Sequence, residues 1–335
     1  RLRTVTGVQT CALPIWAGKS QVVRYIADVI RKAGFKAVVV RHPMPYGNLV
    51  DEAVQRFSSR ADLDGANLTI EEREEYERHI SKGTVVYAGV DYQAILDRAE
   101  EEADVIVWDG GNNDTPFFKP DLWITVADAL RPGHETLYYP GETNFRAADI
   151  IVINKANSAA EEDIISIEAN AARLNPKASV VVAGSEVRAE DPEIIRHKRV
   201  LVIEDGPTIT HGEMAYGAGE VAARMNEASE IIDPRPYAVG SLKELFSKFR
   251  HIGRVLPAMG YYPEQIRELE ETINRADCDS VVIASPIDLR RLIKIDKPST
   301  YVLYDLLDMD RPFLREKIEE FVSRMRADAE HSREG

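Results

Sequence analysis

Ala17-Gly18-Lys19-Ser20, running directly into the amphipathic stretch Gln21 to Ala33, is the segment on which the fold reading turns. Val22, Val23, Ile26, Val29 and Ile30 recur at helical spacing on one face, and Gly34 stands where helices commonly end in glycine. A Gly-Lys-Ser run at the first turn of a helix is the second half of a phosphate-gripping loop. Backbone N–H groups at the helix start bind phosphate oxygens, Lys19 reaches the β- and γ-phosphates, and the Ser20 hydroxyl sits on Mg²⁺. Ala17 and Gly18 complete the cradle. Such a tripeptide is common by chance, so its weight comes from its surroundings.

Upstream, the pattern breaks. The loop spacing asks for glycine at position 13 and for small residues through 16, where the chain reads Leu13-Pro14-Ile15-Trp16. The string VTGVQTCALPI, Val5 to Ile15, resembles the translation of a sequencing-library adapter. Residues 1–15 are therefore read as a non-native leader and set aside from fold reasoning. Trp16 is read as a damaged glycine, and the native chain is expected to extend further upstream. With Pro14 and Trp16 crowding the phosphate site, the chain as written is expected to bind nucleotide weakly.

Downstream, short apolar runs alternate with helical stretches. Ala37–Val40, Val105–Trp108, Leu122–Val126, Ile150–Ile153, Ser179–Val182 and Arg199–Ile203 read as buried strands, with further ones at Glu230–Ile232, Ser280–Ile283 and Thr300–Tyr304. Tyr92–Glu102, Glu161–Leu174 and Pro263–Arg275 read as helices between them. The alternation predicts an α/β fold, a doubly wound and mostly parallel sheet covered by helices on both faces. One domain over 16–310 is the simplest organisation, with a subdivision near 199 as the alternative and a polar helical tail over 311–335. Leu68–Lys82, rich in glutamate, is expected to be a solvated lid or insert.

Bulk properties narrow the class. The chain has 335 residues, 44% apolar and 29% charged, as globular proteins have. No apolar run reaches the roughly 20 residues that a spanning helix needs. Two cysteines fit a reducing, cytoplasmic setting. A formal net charge of −14 argues against nucleic acid and anionic membrane as partners. A small polyanion remains compatible if cations cluster locally, and a homodimer is an open expectation.

Cations do gather at predicted strand ends. Arg41-His42 follows one strand, and Arg131 and His134 follow another. Val105 to Trp108 deliver Asp109 to the sheet edge where open α/β sheets bind ligands, placing a carboxylate to hold Mg²⁺ through water. Gly110 and Gly111 then let the chain pass close to a phosphate. Asn154-Lys155-Ala156-Asn157 ends a further strand and resembles the Asn-Lys-x-Asp base-recognition element of GTPase-like proteins. Asn157 replaces the aspartate there and can donate as well as accept, so ATP is at least as good a fit as GTP.

These segments, taken in order, carry a specific likeness. Lys19-Ser20, Arg41 to Gly47, Asp109 to Asp114, Leu130 to Glu135, Pro140 to Asn144, Asn154-Lys155, Glu204 to Gly212 and Pro286 to Arg290 resemble the cyclic 2,3-diphosphoglycerate synthetase family, whose relatives are often labelled GTPases. The resemblance covers nearly everything from Ala17 to about Asp310. It implies a P-loop NTPase of the dethiobiotin synthetase and nitrogenase-iron-protein branch, acting by ATP-dependent closure of 2,3-diphosphoglycerate through an internal phosphoanhydride. Lys19, Ser20 and Asp109 would then serve ATP and Mg²⁺, while Arg41, His42, Arg131 and His134 would take the substrate phosphates. Pro286 and Asp288 would flank the base with Asn154. Family members carry a region before the phosphate loop, which agrees with truncation. A regulatory or metallochaperone-type GTPase, an ATP-dependent ligase or kinase on another small polyanion, and a scaffold without turnover are the competing readings.

Overall fold

A computed structural model describes residues 6–13, 17–41, 47–66, 68–110, 115, 117–210, 212, 214–259, 262–310 and 312–334. The chain divides into two compact units. One comprises Arg1–Asn67, Tyr76–Glu186 and Asp305–Gly335, the other Leu68–Glu75 and Val187–Tyr304.

The first unit is built on strands β1 (Thr6–Leu13), β2 (Ala37–Arg41), β3 (Gln55–Phe57), β4 (Val85–Ala88), β5 (Val105–Asp109), β6 (Leu122–Asp128), β7 (Ile150–Asn154) and β8 (Ser179–Ala189). Their order is β8-β7-β6-β1-β5-β2-β4-β3. All neighbours among β1, β2 and β4 to β8 pair parallel; β3 alone runs antiparallel, to β4. β2, β5 and β7 are buried along their whole length, so their continuous apolar runs are what a sheet covered on both faces requires.

β1 is the slot beside the phosphate loop, and residues 6–13 fill it although they were set aside as leader. Thr10 stands in register with Asp109 on β5 and with Ile124 on β6. Thr6, Val8 and Thr10 alternate with period two, so this stretch suits an extended, sandwiched segment whatever its origin.

Helix Lys19–Lys32 buries Val22, Val23, Ile26 and Ile30, and they share a core with Leu314, Ile318, Phe321 and Val322 of helix Leu314–Glu334. Burying each such side chain contributes about 1.5–3 kcal/mol. The expected polar tail is thus a core helix with one apolar stripe, which its charged outer face had masked. The expected solvated lid is corrected too. In helix Ile70–Ser81, Tyr76, His79 and Ile80 fall on one buried face, and Tyr76 stacks on Phe57 with ring centroids 5.0 Å apart.

The second unit is built on β9 (Arg199–Asp205), β10 (Glu230–Ile231), β11 (Leu256–Ala258), β12 (Ser280–Ala284) and β13 (Ser299–Asp308). β12 lies between β9 and β13, while β10 and β11 share the other edge of β9, and every pair is parallel. Val200 to Ile203 and Val281 to Ile283 form its core with Leu269 and Ile273 of helix Pro263–Arg275. No helix among the described residues is long and apolar enough to cross a membrane.

Candidate functional site

Gly18 caps helix Lys19–Lys32 in the left-handed region, at φ +95°. A Cβ there would overlap Asn154 Nδ2 and Gln21 Nε2, so both backbone and space demand glycine. Asn154, fully buried at the end of β7, donates through Nδ2 to the Ala17 carbonyl at 2.8 Å. Its Oδ1 is buried without a hydrogen bond. Gln21 accepts from the Ser185 hydroxyl at 3.1 Å. No side chain caps the helix start, where the first-turn N–H groups of a helix have no partner within the helix itself. Lys19 opens the first turn, with Ser20 partly buried beside it.

Facing the loop, Asp109 ends β5 with no exposed surface. Lys19 Nζ donates to its Oδ1. Arg41, in register with it at the end of β2, places Nη1 2.8 Å from Oδ2. The guanidinium N–H is not aimed along that line, so the contact is an ion pair rather than a directed hydrogen bond. His79 Nε2 lies 3.5 Å from the same oxygen. Burial alone would raise the Asp109 carboxyl, but Arg41 and then Lys19 outweigh it and hold it well below the usual carboxylate range. Burial pushes the His79 imidazole down, Asp109 opposes this, and the charges of Arg24 and Arg41 add to the lowering, so at neutral pH the ring is uncharged.

A second cluster stands at the ends of β6 and β7. Asp128 accepts from Arg131 Nε at 3.0 Å, Arg131 Nη2 at 2.7 Å and Lys155 Nζ at 2.8 Å. Burial works to raise its pKa, and Lys155 followed by Arg131 lowers it overall. Burial lowers the Lys155 amine, with Asp128 acting against it. Each carboxylate is therefore ionised and ringed by cations.

Arginine synthetase ArcE of Thermococcus kodakarensis is 55% identical to this chain over 314 residues, 94% of this chain and 70% of the relative. The chain belongs to the arginine synthetase ArcE family. No family model matches it. Among solved structures, LpxK of Aquifex aeolicus in complex with ATP superposes with a TM-score of 0.56 over 96% of this chain and 89% of that one, at 13% identity. That likeness speaks to fold, and the fold of this ArcE-family chain is the mostly parallel α/β fold of P-loop NTPases.

The remaining sequence-predicted positions distribute as follows in this ArcE relative. Gly110 is buried immediately after Asp109, while His42 and Gly111 lie outside the described residues. His134 begins the short helix His134–Leu137, with Nδ1 buried and without a hydrogen bond and its ring 5.3 Å from Tyr138. Asn157 exchanges both amide ends with the backbone of Ser185, at 3.0 and 2.9 Å. Pro286 and Asp288 belong to the second unit, where Pro286 accepts from Tyr301 and Asp288 caps the turn Leu289–Arg291 and pairs with Arg290.

Two residues of this region went unnoticed in the sequence: His79, which lies beside Asp109, and Arg24, whose charge acts on His79. Arg24, 5% exposed, sits among Val22, Val23 and Ile26 on the buried face of its helix. A lone cation inside an apolar stripe was the readable signal. His79 was hidden by its glutamate-rich neighbours.

Asp109 Oδ2 is a buried carboxylate oxygen without a directed hydrogen bond. Among the described residues no group of three His, Cys, Asp or Glu forms a protein cage. That donor set fits Mg²⁺, which is commonly held by one carboxylate, a hydroxyl and a nucleotide's phosphates.

Proposed function

We propose that this chain is an ATP-dependent synthetase that forms arginine by building the C–N bond of the guanidinium group. Its 55% identity to a relative named for that product carries the reading. The chemistry follows from the bond. A ureido carbon is a weak electrophile, and its oxygen is a poor leaving group. Transfer of the γ-phosphoryl of ATP to the ureido oxygen releases ADP and makes that oxygen leave as phosphate. An amine, ammonia in the simplest case, then takes its place on carbon.

Such a step needs phosphate held in place and charge neutralised more than it needs covalent help. The start of helix Lys19–Lys32 and Lys19 would bind the β- and γ-phosphates, and Ser20 and Asp109 would hold Mg²⁺, which spreads the negative charge of the phosphates. Lys19 is engaged by Asp109, so nucleotide binding has to draw it across. The mixed-charge Asp128–Arg131–Lys155 cluster suits an amino-acid zwitterion, because its cations already hold a carboxylate.

Closure of 2,3-diphosphoglycerate is the second reading, favoured by the motif series from Lys19 to Arg290. It shares the activated-oxygen logic, with a neighbouring phosphate as the displacing group. It asks for several free cations, and Arg41, Arg131 and Lys155 all have acidic partners, which favours the amino acid. For the base, the amides of Asn154 and Asn157 already engage Ala17 and Ser185, which favours ATP over GTP.

The test is product analysis with the chain as written and with Leu13→Gly/Trp16→Gly. Each is given MgATP or MgGTP with citrulline and ammonium, or with 2,3-diphosphoglycerate. Arginine and ADP in equal amounts support the proposal. ADP release driven by 2,3-diphosphoglycerate, without arginine, selects the second reading.

A further inference from the structure

The geometry points to His79 as a positioning residue for Asp109, the group that keeps this carboxylate oriented once nucleotide takes Lys19 away. The inference rests on the nucleotide reading of the loop, and it concerns a residue that neither the motif series nor the loop pattern includes.

The contacts of Asp109 divide unevenly between its oxygens. Lys19 takes Oδ1, while Arg41 and His79 share Oδ2, at 2.8 and 3.5 Å. Lys19 belongs to the phosphate loop, and its work there is at the β- and γ-phosphates. When it moves to them, a fully buried carboxylate loses a counter-charge, and a buried charge stripped of one partner is costly unless another group takes it up. Arg41 remains, yet its N–H is not directed at the oxygen.

His79 enters this site from helix Ile70–Ser81 and not from the sheet or the loop, so motion of the loop need not carry it away. Its ring is 1% exposed, and neither nitrogen has a hydrogen bond. Buried polar groups in folded proteins nearly always have one. The nearest acceptor is Asp109 Oδ2, about half an ångström beyond ordinary hydrogen-bond length. A leucine or phenylalanine would fill the same space without leaving two ring nitrogens unsatisfied. An imidazole aimed at a carboxylate from outside the coordination set is the arrangement by which outer groups fix the orientation of a metal-holding side chain. Closing by a few tenths of an ångström, an N–H at Nε2 would bond Oδ2 and hold Asp109 as Lys19 departs.

The experiment compares the full chain, carrying Leu13→Gly/Trp16→Gly if the chain as written binds no nucleotide, with His79→Leu and His79→Gln made in the same background. Calorimetry reads affinity for ATP with Mg²⁺ and for ATP with EDTA. His79→Leu is expected to weaken MgATP binding by roughly ten- to a hundredfold, and metal-free ATP, which draws Lys19 away without asking Asp109 to orient a metal, by several-fold less. His79→Gln, which returns an N–H donor near the Nε2 position, is expected to recover most of the loss. Equal weakening of both forms in His79→Leu, no weakening of either, or a His79→Gln variant no better than His79→Leu would overturn the inference. Failure of the unsubstituted chain to bind MgATP in both backgrounds would instead overturn the nucleotide reading beneath it.

Discussion

Asn154, the last residue of β7, donates its side-chain amide to the Ala17 carbonyl at 2.8 Å and so fastens the phosphate loop to the sheet edge two strands away. The bond is buried, and it fixes the peptide that precedes Gly18. Asn154→Ala removes it and leaves a carbonyl without its donor, at a cost of about 1–3 kcal/mol. Part of that loss should appear as nucleotide affinity lowered about five- to tenfold, read by titration calorimetry.

Gly18→Ala is expected to be worse. It puts a Cβ into Asn154 Nδ2 and Gln21 Nε2 on a backbone at φ +95°, where an L side chain is already strained. Thermal melting should fall by several degrees, and MgATP should not protect the variant from unfolding as it protects the parent.

Asp109→Asn tests the charge cluster. The carboxylate is the common partner of Lys19 and Arg41, and Asp109→Asn takes from both the counter-charge that they share. The expected loss is about 3–5 kcal/mol. The pH dependence has a definite sign. The folded pKa of Asp109 is depressed, so its stabilisation is present above the ordinary carboxylate range and is lost as pH falls through the folded value. Urea midpoints across the acid range should decline less steeply in Asp109→Asn than in the parent, and an equal slope would contradict the assignment.

Much of this was legible in the residues and some was not, for physical reasons. Val105 to Trp108 and Ile150 to Ile153 announced buried parallel strands because a fully covered strand is apolar at every position. Lys19 and Asp109 were each placed at the nucleotide by their own motif, but the ion pair between them shows only in the folded chain. His79 and Arg24 were missed because each lies in a helix whose overall composition pointed elsewhere, acidic in one case and apolar in the other. Leu314, Ile318, Phe321 and Val322 were likewise diluted by charged neighbours over the helix Leu314–Glu334. Residues 6–13 were discounted on their likeness to an adapter, although a strand slot asks only for an extended segment of suitable period.

Glu204, at the C-terminal part of β9 in the second unit, offers an independent check by pH. Its carboxyl is buried and accepts N–H bonds from Gly217, Gly219 and Glu220 at 3.0, 3.1 and 2.8 Å. Burial raises it from an ordinary 4.5 to about 7, against the pull of those three N–H groups. A raised folded pKa means that the folded state holds the proton longer. Stability from this group is complete below about pH 4.5 and declines until the pH passes about 7. Denaturation midpoints between pH 4 and 8 should show that decline, and Glu204→Gln should flatten it. An unchanged profile in Glu204→Gln would show that Glu204 is not its source.

The central claim is that ATP activates a ureido oxygen in the first unit, and the path of that oxygen tests it most directly. Citrulline labelled with oxygen-18 in its ureido group is converted with MgATP and ammonium, and the released phosphate is read by phosphorus NMR. The account predicts one labelled oxygen in each phosphate formed with arginine, and no labelled phosphate with Asp109→Asn or Lys19→Ala. Arginine formed alongside unlabelled phosphate would contradict it.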